Sequence, residues 1–412
     1  MGFKLRAAAV ALAVTGALTA GTAGATNGYF QHGYGIKAKG MAGVGIAFPQ
    51  DALAAATNPA GMVNVGNRID FGADLFRPVR STQITGVGDF SGNGDSEFLI
   101  PEFGYNHMLS PTSSIGVSVY GNGGMNTSYE TLNTATGGAI FGTGKLGVDL
   151  MQLFIAPTYS VKLTPQHSLG VSLNLAYQRF KMEGIQNFAG FSSSAANLTN
   201  NGYDSSTGYG VRIGWLGQLS PTVSVGATYQ TKTRMGAFDK YRGLFAGQGD
   251  FDIPENYGIG IAVKASPSTT VAADLQRINY SKVASVGNSI NQLFVLGQPL
   301  GSSNGPGFGW RDMTVLKLGV SHAYNSNLTL RGGVSHGRQP IPGNETFFNV
   351  LAPGVIESHL TLGATWTLAN KSELSVGYMH GFNKSVTGTG AGAGFNVKMH
   401  QDSLGIAYGW KM

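Results

Sequence analysis

A short turn followed at once by an alternating apolar strand recurs six times along this chain. The turns occupy residues 109–112, 163–166, 219–222, 265–268, 324–327 and 368–371, and most contain Ser or Thr with Pro, or Asn. After the third turn, Val223, Val225 and Tyr229 alternate with small or polar residues. Because successive side chains of a strand point to opposite faces, each hairpin has one apolar face and one polar, Gly-rich face. The repeat therefore predicts an antiparallel all-β fold.

The other connections between strands are long and rich in Gly, Asn and Ser, as in residues 184–208, 281–309 and 339–356. Short turns at one end and long loops at the other are typical of a transmembrane β-barrel. Six hairpins, an opening strand at 68–76 and a closing strand at 403–410 predict about 14 strands, an even number as such barrels require. Recurrent aromatic residues are expected to form the girdles at the membrane surfaces: Tyr177, Trp215, Tyr229, Tyr280, Tyr324, Trp366 and Tyr408.

The composition agrees with export and with a membrane span built from strands. Residues 1–25 have the order of a secretory signal peptide: basic Lys4 and Arg6, an apolar run, then small residues ending at Ala25. The remainder has no apolar run of the roughly 18 residues that a membrane helix needs. Charged residues make up only 12% of the chain, against about 25% in soluble proteins. We therefore expect a protein of the bacterial outer membrane.

The same composition argues against several other functions. There are 0 Cys, so disulfide, thiol and Cys-metal chemistry are excluded. The net charge of +6 is small and scattered, which does not suit nucleic-acid binding. The 8 His show no metal-ligand pair at helical spacing. No metal or other cofactor is expected.

A segment of about 40 residues, 26–67, precedes the first strand and does not alternate. Asp51 is expected to cap a short helix at 52–57, and Pro59 to end it. A barrel of roughly 14 strands is too wide for its own side chains to fill. The predicted organisation is a signal peptide at 1–25, a plug or hatch at 26–67 inside the lumen, and a barrel at 68–412.

Asn58-Pro59-Ala60, with Thr26-Asn27-Gly28 upstream, resembles the hatch of the FadL/TodX family of outer-membrane transporters. The closing Tyr378-Met379-His380-Gly381 is also similar to that family, and the resemblance covers essentially the whole mature chain. It implies a monomeric channel that imports long-chain fatty acids or hydrocarbons without an energy source. It also implies that Asn27, Gly28, Asn58, Pro59 and Ala60 belong to a gating hatch.

In that family the ligand leaves sideways through an opening where the third strand kinks inward. The match in this chain is Gly121-Asn122-Gly123-Gly124, since Gly tolerates unusual dihedrals and leaves no side chain in the gap. Two features depart from the pattern. Trp410 is followed by Lys411 and Met412, whereas outer-membrane barrels usually end on an aromatic residue. The residues that best match the family's basic ligand contacts, Arg179 and Lys181, fall on the lipid-facing side by parity.

Two sets of residues are candidates for contact with the hydrophobic substrate. Loop residues expected to form an outer apolar groove are Ile140, Phe141, Ile185, Phe188 and Phe191. The cations expected to point into the lumen are Arg212, Lys317 and Arg331. They would pair with the carboxylate of a fatty acid, or simply with Asp70, Asp74 and Asp274 of the barrel. Outer-membrane lipids and lipopolysaccharide are the other expected partners.

Two functions of other classes stay open. A general porin would conduct ions freely, whereas a barrel closed by a hatch would not. An outer-membrane lipid hydrolase or adhesin is the second, because residues 333–337 match Gly-x-Ser-x-Gly. That motif needs a strand, a sharp turn and a helix, whereas here it lies within an alternating strand. An enzyme is therefore not expected, and loss of lipid hydrolysis in Ser335→Ala would be the sign of one.

Overall fold

A closed ring of antiparallel strands dominates the computed structural model, which describes residues 27–412. Fourteen long strands form the ring: β1 Arg68–Ile84, β2 Phe98–Ser110, β3 Ser113–Tyr129, β4 Leu146–Lys162, β5 His167–Glu183, β6 Asp204–Ser220, β7 Val223–Gln230, β8 Asn256–Lys264, β9 Thr269–Ile278, β10 Met313–Ala323, β11 Leu328–Gly337, β12 Ser358–Thr367, β13 Glu373–Val386 and β14 Phe395–Lys411. Two short strands, Gly88–Ser91 and Arg234–Met235, pair with β1 and β6. The predicted signal peptide lies outside the described residues.

The ring closes where the first strand pairs with the last. The pairing runs from Arg68 opposite Lys411 to Ile84 opposite Phe395, which closes the sheet into a ring. A closed barrel satisfies all the strand hydrogen bonds internally, which is the condition for crossing a lipid bilayer with strands. The predicted all-β barrel of 14 strands is confirmed.

Each of the six short turns joins two neighbouring strands at one end of the barrel, from β2–β3 to β12–β13. The predicted bounds of the first and last strands were wrong. The first strand continues from Phe76 to Ile84, and the last begins at Phe395 rather than at Ser403. These extra residues lie at the long-loop end, where the wall rises beyond the lipid and the apolar alternation is no longer required.

Within residues 27–412, the helical turns lie in the N-terminal segment and the loops. The α-helical turns are Ile36–Lys39, Leu132–Ala135, Ala246–Gly249, Ala284–Gly287, Asn291–Phe294 and Thr346–Asn349. The 3-10 turns are Ala54–Ala56, Pro59–Asn64, Gln186–Phe191, Ala195–Asn197, Asp239–Tyr241, Tyr280–Lys282, Gly343–Glu345 and Gly390–Gly392. No helix within residues 27–412 is long and apolar enough to cross a membrane.

The outward faces of the strands are apolar, as the alternation predicts. On β5 the exposed residues are Leu169, Val171, Leu173 and Leu175. Their inward neighbours Ser172, Asn174 and Gln178 are fully buried. Six of the predicted girdle residues lie at least partly exposed on the wall or at its turns, but Tyr280 does not. It follows the end of β9, in a loop that folds into the lumen, and it is buried.

The N-terminal segment, residues 27–67, packs against the inward faces of the barrel strands. Asp51 accepts a hydrogen bond from the Leu53 N–H at 3.0 Å, but it does not cap the following turn, whose N-cap residue is Leu53. The helix predicted at 52–57 is only the 3-10 turn Ala54–Ala56, and Pro59 begins a second turn instead of ending the first. Pro suits a first helical position because its missing N–H would have no partner there.

Candidate functional site

An apolar cavity lies among the long loops above the barrel. The space between its lining side chains is about 490 Å³, part of which is open to solvent. Its lining comprises Phe141, Phe180, Met182, Ile185, Phe188, Leu244, Phe245, Ser285, Leu300, Pro306, Gly307, Phe308, Phe348 and Leu351. No ionisable side chain is in this lining, so the cavity suits an uncharged, apolar group.

Three of the five loop residues selected from the sequence line this cavity: Phe141, Ile185 and Phe188. Ile140 packs against the same apolar cluster from a partly buried position. Phe191 is 55% exposed. Its ring centroid lies 6.3 Å from that of Phe188, and its carbonyl accepts a hydrogen bond from the Leu300 N–H at 2.9 Å. The other lining residues were missed. Phe180 and Met182 are inward residues of β5. The other large apolar residues of the lining lie in Gly- and Ser-rich loops, where a solvated loop would not need them.

The single polar residue of the lining is already engaged. Ser285 donates its hydroxyl hydrogen bond to the backbone carbonyl of Asp250, with the Ala246 carbonyl as a second acceptor. Burial raises the pKa of the Asp250 carboxyl to about 6, and the neighbouring Asp252 carboxylate adds to the rise. The loop beside the cavity therefore has a carboxyl group that changes charge near pH 6.

Contacts between tilted aromatic rings connect the cavity to the N-terminal segment. Phe245 of the lining contacts Phe251 with ring centroids 4.8 Å apart, and Phe251 contacts Tyr29 at 6.0 Å. Tyr29 also packs against Tyr280 and Trp310, at 5.2 and 5.8 Å. Residues 29–31, the tip of the segment, thus lie against the side of the loop cluster that faces the barrel.

The segment begins with a tight turn formed by Asn27 and Gly28. The Asn27 N–H donates to the Phe30 carbonyl at 3.0 Å, and Gly28 has a φ of +67°, which favours glycine. A β-carbon on Gly28 would lie 2.6 Å from the hydroxyl oxygen of Tyr280. That hydroxyl donates to the Asn27 carbonyl. The turn is therefore fixed against the loop that carries Tyr280.

The interruption predicted in the third strand is a β-bulge. The register of β3 against β4 shifts between Gly121 and Gly123, which leaves Asn122 as the extra residue. The N-terminal segment bridges the bulge: Gly124 donates its N–H to the Tyr29 carbonyl at 3.0 Å, and Gln31 donates to the Asn122 carbonyl at 3.2 Å. The four residues 121–124 therefore meet the tip of the segment.

Asn58, the first residue of the Asn-Pro-Ala motif, anchors the middle of the segment. Its side-chain amide donates to the Ile46 carbonyl at 2.7 Å and to the Trp215 carbonyl of β6 at 3.0 Å. Its side-chain oxygen accepts from the Ala60 N–H at 3.1 Å. Pro59 and Ala60 then lie against Gly170 of β5. The motif thus joins two parts of the segment to the barrel wall.

The three candidate lumen cations all point inward, and each donates to the N-terminal segment. Arg212 donates to the Thr57 carbonyl at 3.1 Å and also to Gln230. Lys317 donates to the His32 carbonyl at 2.8 Å, and Arg331 to the Gln50 side chain at 2.8 Å. Whether they also bind a carboxylate stays a prediction.

The three aspartates suggested as partners of these cations bind elsewhere. Asp70 pairs with Arg68 at 2.6 Å, and Asp74 with Lys39 of the segment at 2.8 Å. Asp274 accepts hydrogen bonds from the backbone N–H groups of Gly45 and Ile46, at 2.8 and 3.1 Å. Within residues 27–412 none of the three forms a salt bridge with Arg212, Lys317 or Arg331, but Asp274 lies opposite Lys317 in the β9–β10 register and the two charges interact. The suggested pairing therefore holds for Asp274 only as a longer-range contact, because the segment takes the hydrogen bonds of Asp74 and Asp274, and Arg68 of β1 takes those of Asp70.

Ser335, the serine of the Gly-x-Ser-x-Gly match, lies within β11 and not on a strand-to-helix turn. Its hydroxyl is 3.1 Å from Nδ1 of His359, and the other ring nitrogen of His359 contacts Gln401 at 3.2 Å. The orienting group on this histidine is thus an amide, where a catalytic triad has a carboxylate. The local structure does not have the geometry of a nucleophile elbow.

Comparisons with known proteins agree with this architecture. The sequence model of the family described as "Outer membrane protein transport protein (OMPP1/FadL/TodX)" matches residues 16–411. A long-chain fatty acid transport protein of Escherichia coli O6:H1 is 26% identical over 439 residues, which cover 94% of this chain and 93% of that protein. A protein of the same description from Shigella flexneri is 24% identical over 431 residues, covering 91% of each chain.

Solved structures share the barrel fold at low sequence identity. The toluene transporter TodX of Pseudomonas putida superposes with a TM-score of 0.69 at 17% identity, covering 92% of this chain and 99% of that one. A FadL homologue of Pseudomonas aeruginosa gives 0.71 at 14% identity, covering 93% and 99%. At such identities the likeness establishes the fold alone.

Proposed function

This chain belongs to the OMPP1/FadL/TodX family of outer-membrane transport proteins, and from that premise we propose that it admits hydrophobic compounds through a loop cavity, a hatch and a lateral exit. The substrates are long-chain fatty acids or hydrocarbons, in line with the fatty acid and toluene transporters that the chain resembles. Uptake is passive, and a single chain suffices because the closed ring needs no partner strand. The observation that carries the proposal is the aromatic connection from the cavity to the bridged bulge.

The loop cavity is the entry site. Its lining of aromatic and aliphatic side chains favours transfer of an apolar molecule out of water, by about 25 cal/mol for each Å² of apolar surface buried. Aromatic rings such as Phe141 and Phe188 also offer favourable edge-to-face contacts to a ring-bearing ligand. The apolar part of either substrate class fits this lining.

The N-terminal segment is the hatch. Tyr29 lies between the cavity side and the β3 bulge, and its carbonyl oxygen is hydrogen-bonded to Gly124. Movement of residues 29–31 away from the bulge would break two backbone hydrogen bonds. It would leave a gap between β2 and β3, because the pairing of these strands ends at Phe103 opposite Val119 while residues 121–124 stay paired with β4, and Gly121 and Gly123 put no side chain into that gap. A ligand would leave through this gap into the membrane.

A fatty acid also has a carboxylate, for which the lumen cations are suitable partners. Arg212, Lys317 and Arg331 now donate to carbonyl or amide oxygens of the hatch. A carboxylate is a stronger acceptor than these neutral oxygens, so it would replace them and release the hatch. A hydrocarbon would lack this contribution.

The role of the cavity is tested with Phe188→Ser, which changes its lining. The control is Phe294→Ser, which removes a ring that belongs to the same loops but does not line the cavity. Binding of a radiolabelled fatty acid and of toluene to purified protein is measured together with uptake by cells. We expect Phe188→Ser to weaken binding and uptake of at least one ligand, and the control to change neither. Equal results for the two variants would contradict entry through the cavity.

The exit is tested with the double substitution Gly123→Val and Gly124→Val, which puts two branched side chains at the gap. Because any β-carbon at Gly123 also displaces residues 29–31, Gly123→Ala is the control that displaces them with the smallest side chain. Uptake should fall steeply while binding to purified protein changes little, because the cavity lies upstream. A heat-modifiability gel confirms that the barrel has folded. Normal folding with undiminished uptake would rule out this exit.

A further inference from the structure

A groove runs along the outer, lipid-facing wall of the barrel over β4, β5 and β6. It holds about 1260 Å³ of space that is open on the outer side. Its lining comprises Leu153, Ile155, Leu175, Ala176, Tyr177, Thr207, Gly208, Tyr209, Arg234, Met235 and Gly236. The short strand Arg234–Met235 closes it on one side, since it pairs with β6 at Tyr209 and Gly208. The groove is apolar except at Thr207 and Arg234.

Two arginines frame this groove on the outside of the wall. Arg234 pairs with outward-facing Tyr209, and Arg179 is the next outward residue after Tyr177 on β5. Within residues 27–412 neither guanidinium has a carboxylate oxygen within 4.0 Å, although Lys232 and Lys181, close in sequence, do. Nε of Arg179 is buried without a hydrogen-bond partner. Within the part of the chain that the structure describes, neither arginine therefore has an ion-pair partner.

The acidic groups around Arg179 are already engaged. Glu183 pairs with Lys181 at 3.0 Å. Asp149 accepts a hydrogen bond from the Tyr203 hydroxyl at 2.6 Å. The Tyr203 ring in turn lies under the Arg179 guanidinium, 4.6 Å from ring centroid to Cζ, which holds the arginine by a cation–π contact.

The position of Arg179 along β5 places it at the level of lipid head groups. The strand starts at His167 next to a short turn, and its outward residues are apolar from Leu169 to Leu175, followed by Tyr177. About 9–11 residues of a tilted strand cross the hydrocarbon layer, so Arg179 lies just beyond it at the long-loop end. In outer-membrane barrels that end faces outward.

We propose that this groove binds a phosphorylated, acylated lipid of the outer leaflet, with the chemistry of the lipid A part of lipopolysaccharide. Acyl chains lie against Leu175, Tyr177 and Tyr209, and phosphate groups pair with Arg179 and Arg234. The planar guanidinium group matches two phosphate oxygens at once, which makes arginine the best side chain for this contact. The site lies on the outer wall and is separate from the loop cavity, so its failure would leave the proposed transport function unaffected.

The test compares two double variants of the mature chain by native mass spectrometry in detergent, with bisphosphorylated lipid A as the titrated lipid. Arg179→Gln with Arg234→Gln removes the proposed phosphate contacts. Lys162→Gln with Lys264→Gln removes the same charge from the short-turn end of the barrel, where both lysines terminate strands. Heat-modifiability gels verify that both barrels fold.

We expect the arginine variant to bind lipid A about tenfold more weakly or worse, because each charged hydrogen bond contributes roughly a factor of ten. The lysine variant should match the parent, and lipid A without phosphates should not distinguish the three proteins. Equal lipid A affinities for the two double variants would overturn the proposal. It would also fail if the arginine variant lost oleate binding while keeping lipid A, since the groove would then serve a carboxylic acid.

Discussion

Replacement of Gly123 by alanine should detach the tip of the hatch from the barrel wall without unfolding the barrel. A β-carbon at this position would lie 2.0 Å from the Tyr29 carbonyl oxygen and 3.2 Å from the Phe30 Cα. Both neighbours are backbone atoms, so no side-chain rotation relieves the overlap. The segment 29–31 must therefore move away from the bulge.

The magnitude follows from the contacts that this movement breaks. Two backbone hydrogen bonds join the tip to the bulge, from Gly124 to Tyr29 and from Gln31 to Asn122. At about 0.5–1.5 kcal/mol each, their loss weakens the docking of the tip by roughly 1–3 kcal/mol. The detached population should accordingly rise about 5- to 150-fold.

Hydrogen exchange of the Gln31 and Gly124 amides measures this population directly, since each amide is protected only while the tip is docked. The matched control is Gly332→Ala on β11, where the new β-carbon would be 3.7 Å from the Thr361 carbonyl oxygen, an ordinary contact. We expect faster exchange in Gly123→Ala alone and equal heat-modifiability of both variants. Unchanged exchange at Gln31 and Gly124 would refute the reasoning that the glycine is there to admit the hatch.

Three further predictions concern the hatch, the lumen and the loops. Asn58→Ala should leave the barrel folded but alter uptake, since three hydrogen bonds of the hatch are lost. The control is Asn64→Ala, at an exposed position. Unchanged uptake at normal surface levels would show that Asn58 has no gating role. Lys317→Gln should weaken binding of a fatty acid about tenfold to a hundredfold while sparing a neutral hydrocarbon of similar size, and equal effects on both would assign Lys317 only to the His32 contact. The pKa of Asp250 is about 6 in the folded protein, above its unfolded value of about 3.9, so ionisation of this carboxyl destabilises the loop. The hydrogen-exchange protection factors of residues 246–252 should therefore rise as the pH falls from 6.5 to 4.5, and Asp250→Asn should remove that change.

The sequence by itself determined the class of fold. Alternating strands such as the one containing Val223 and Val225 specify which face meets lipid, because a shift of one residue would turn every apolar side chain inward. Together with six short turns and three long loops, this pattern was enough to predict a closed barrel of 14 strands. It also predicted the inward direction of Arg212 and Lys317, since parity along a strand is local.

The sequence also indicated part of the candidate site. Phe141, Ile185 and Phe188 stood out because large apolar side chains are unexpected in loops rich in Gly and Ser, and all three line the cavity. Leu244, Phe308 and Leu351 are of the same kind but come from other loops. Their approach to one cavity depends on how the loops fold over the barrel, and no spacing along the chain encodes that.

Only the tertiary structure decided what the polar groups of the lumen contact. Parity showed that Arg212, Asp74 and Asp274 face inward, but not that the N-terminal segment reaches each of them before another strand does. The Gly-rich run likewise indicated a kink at Gly121 and Gly123, but not that Tyr29 lies against this kink. These contacts join residues up to hundreds of positions apart, and they form because a lumen too wide for its own side chains is filled by the segment that precedes the first strand.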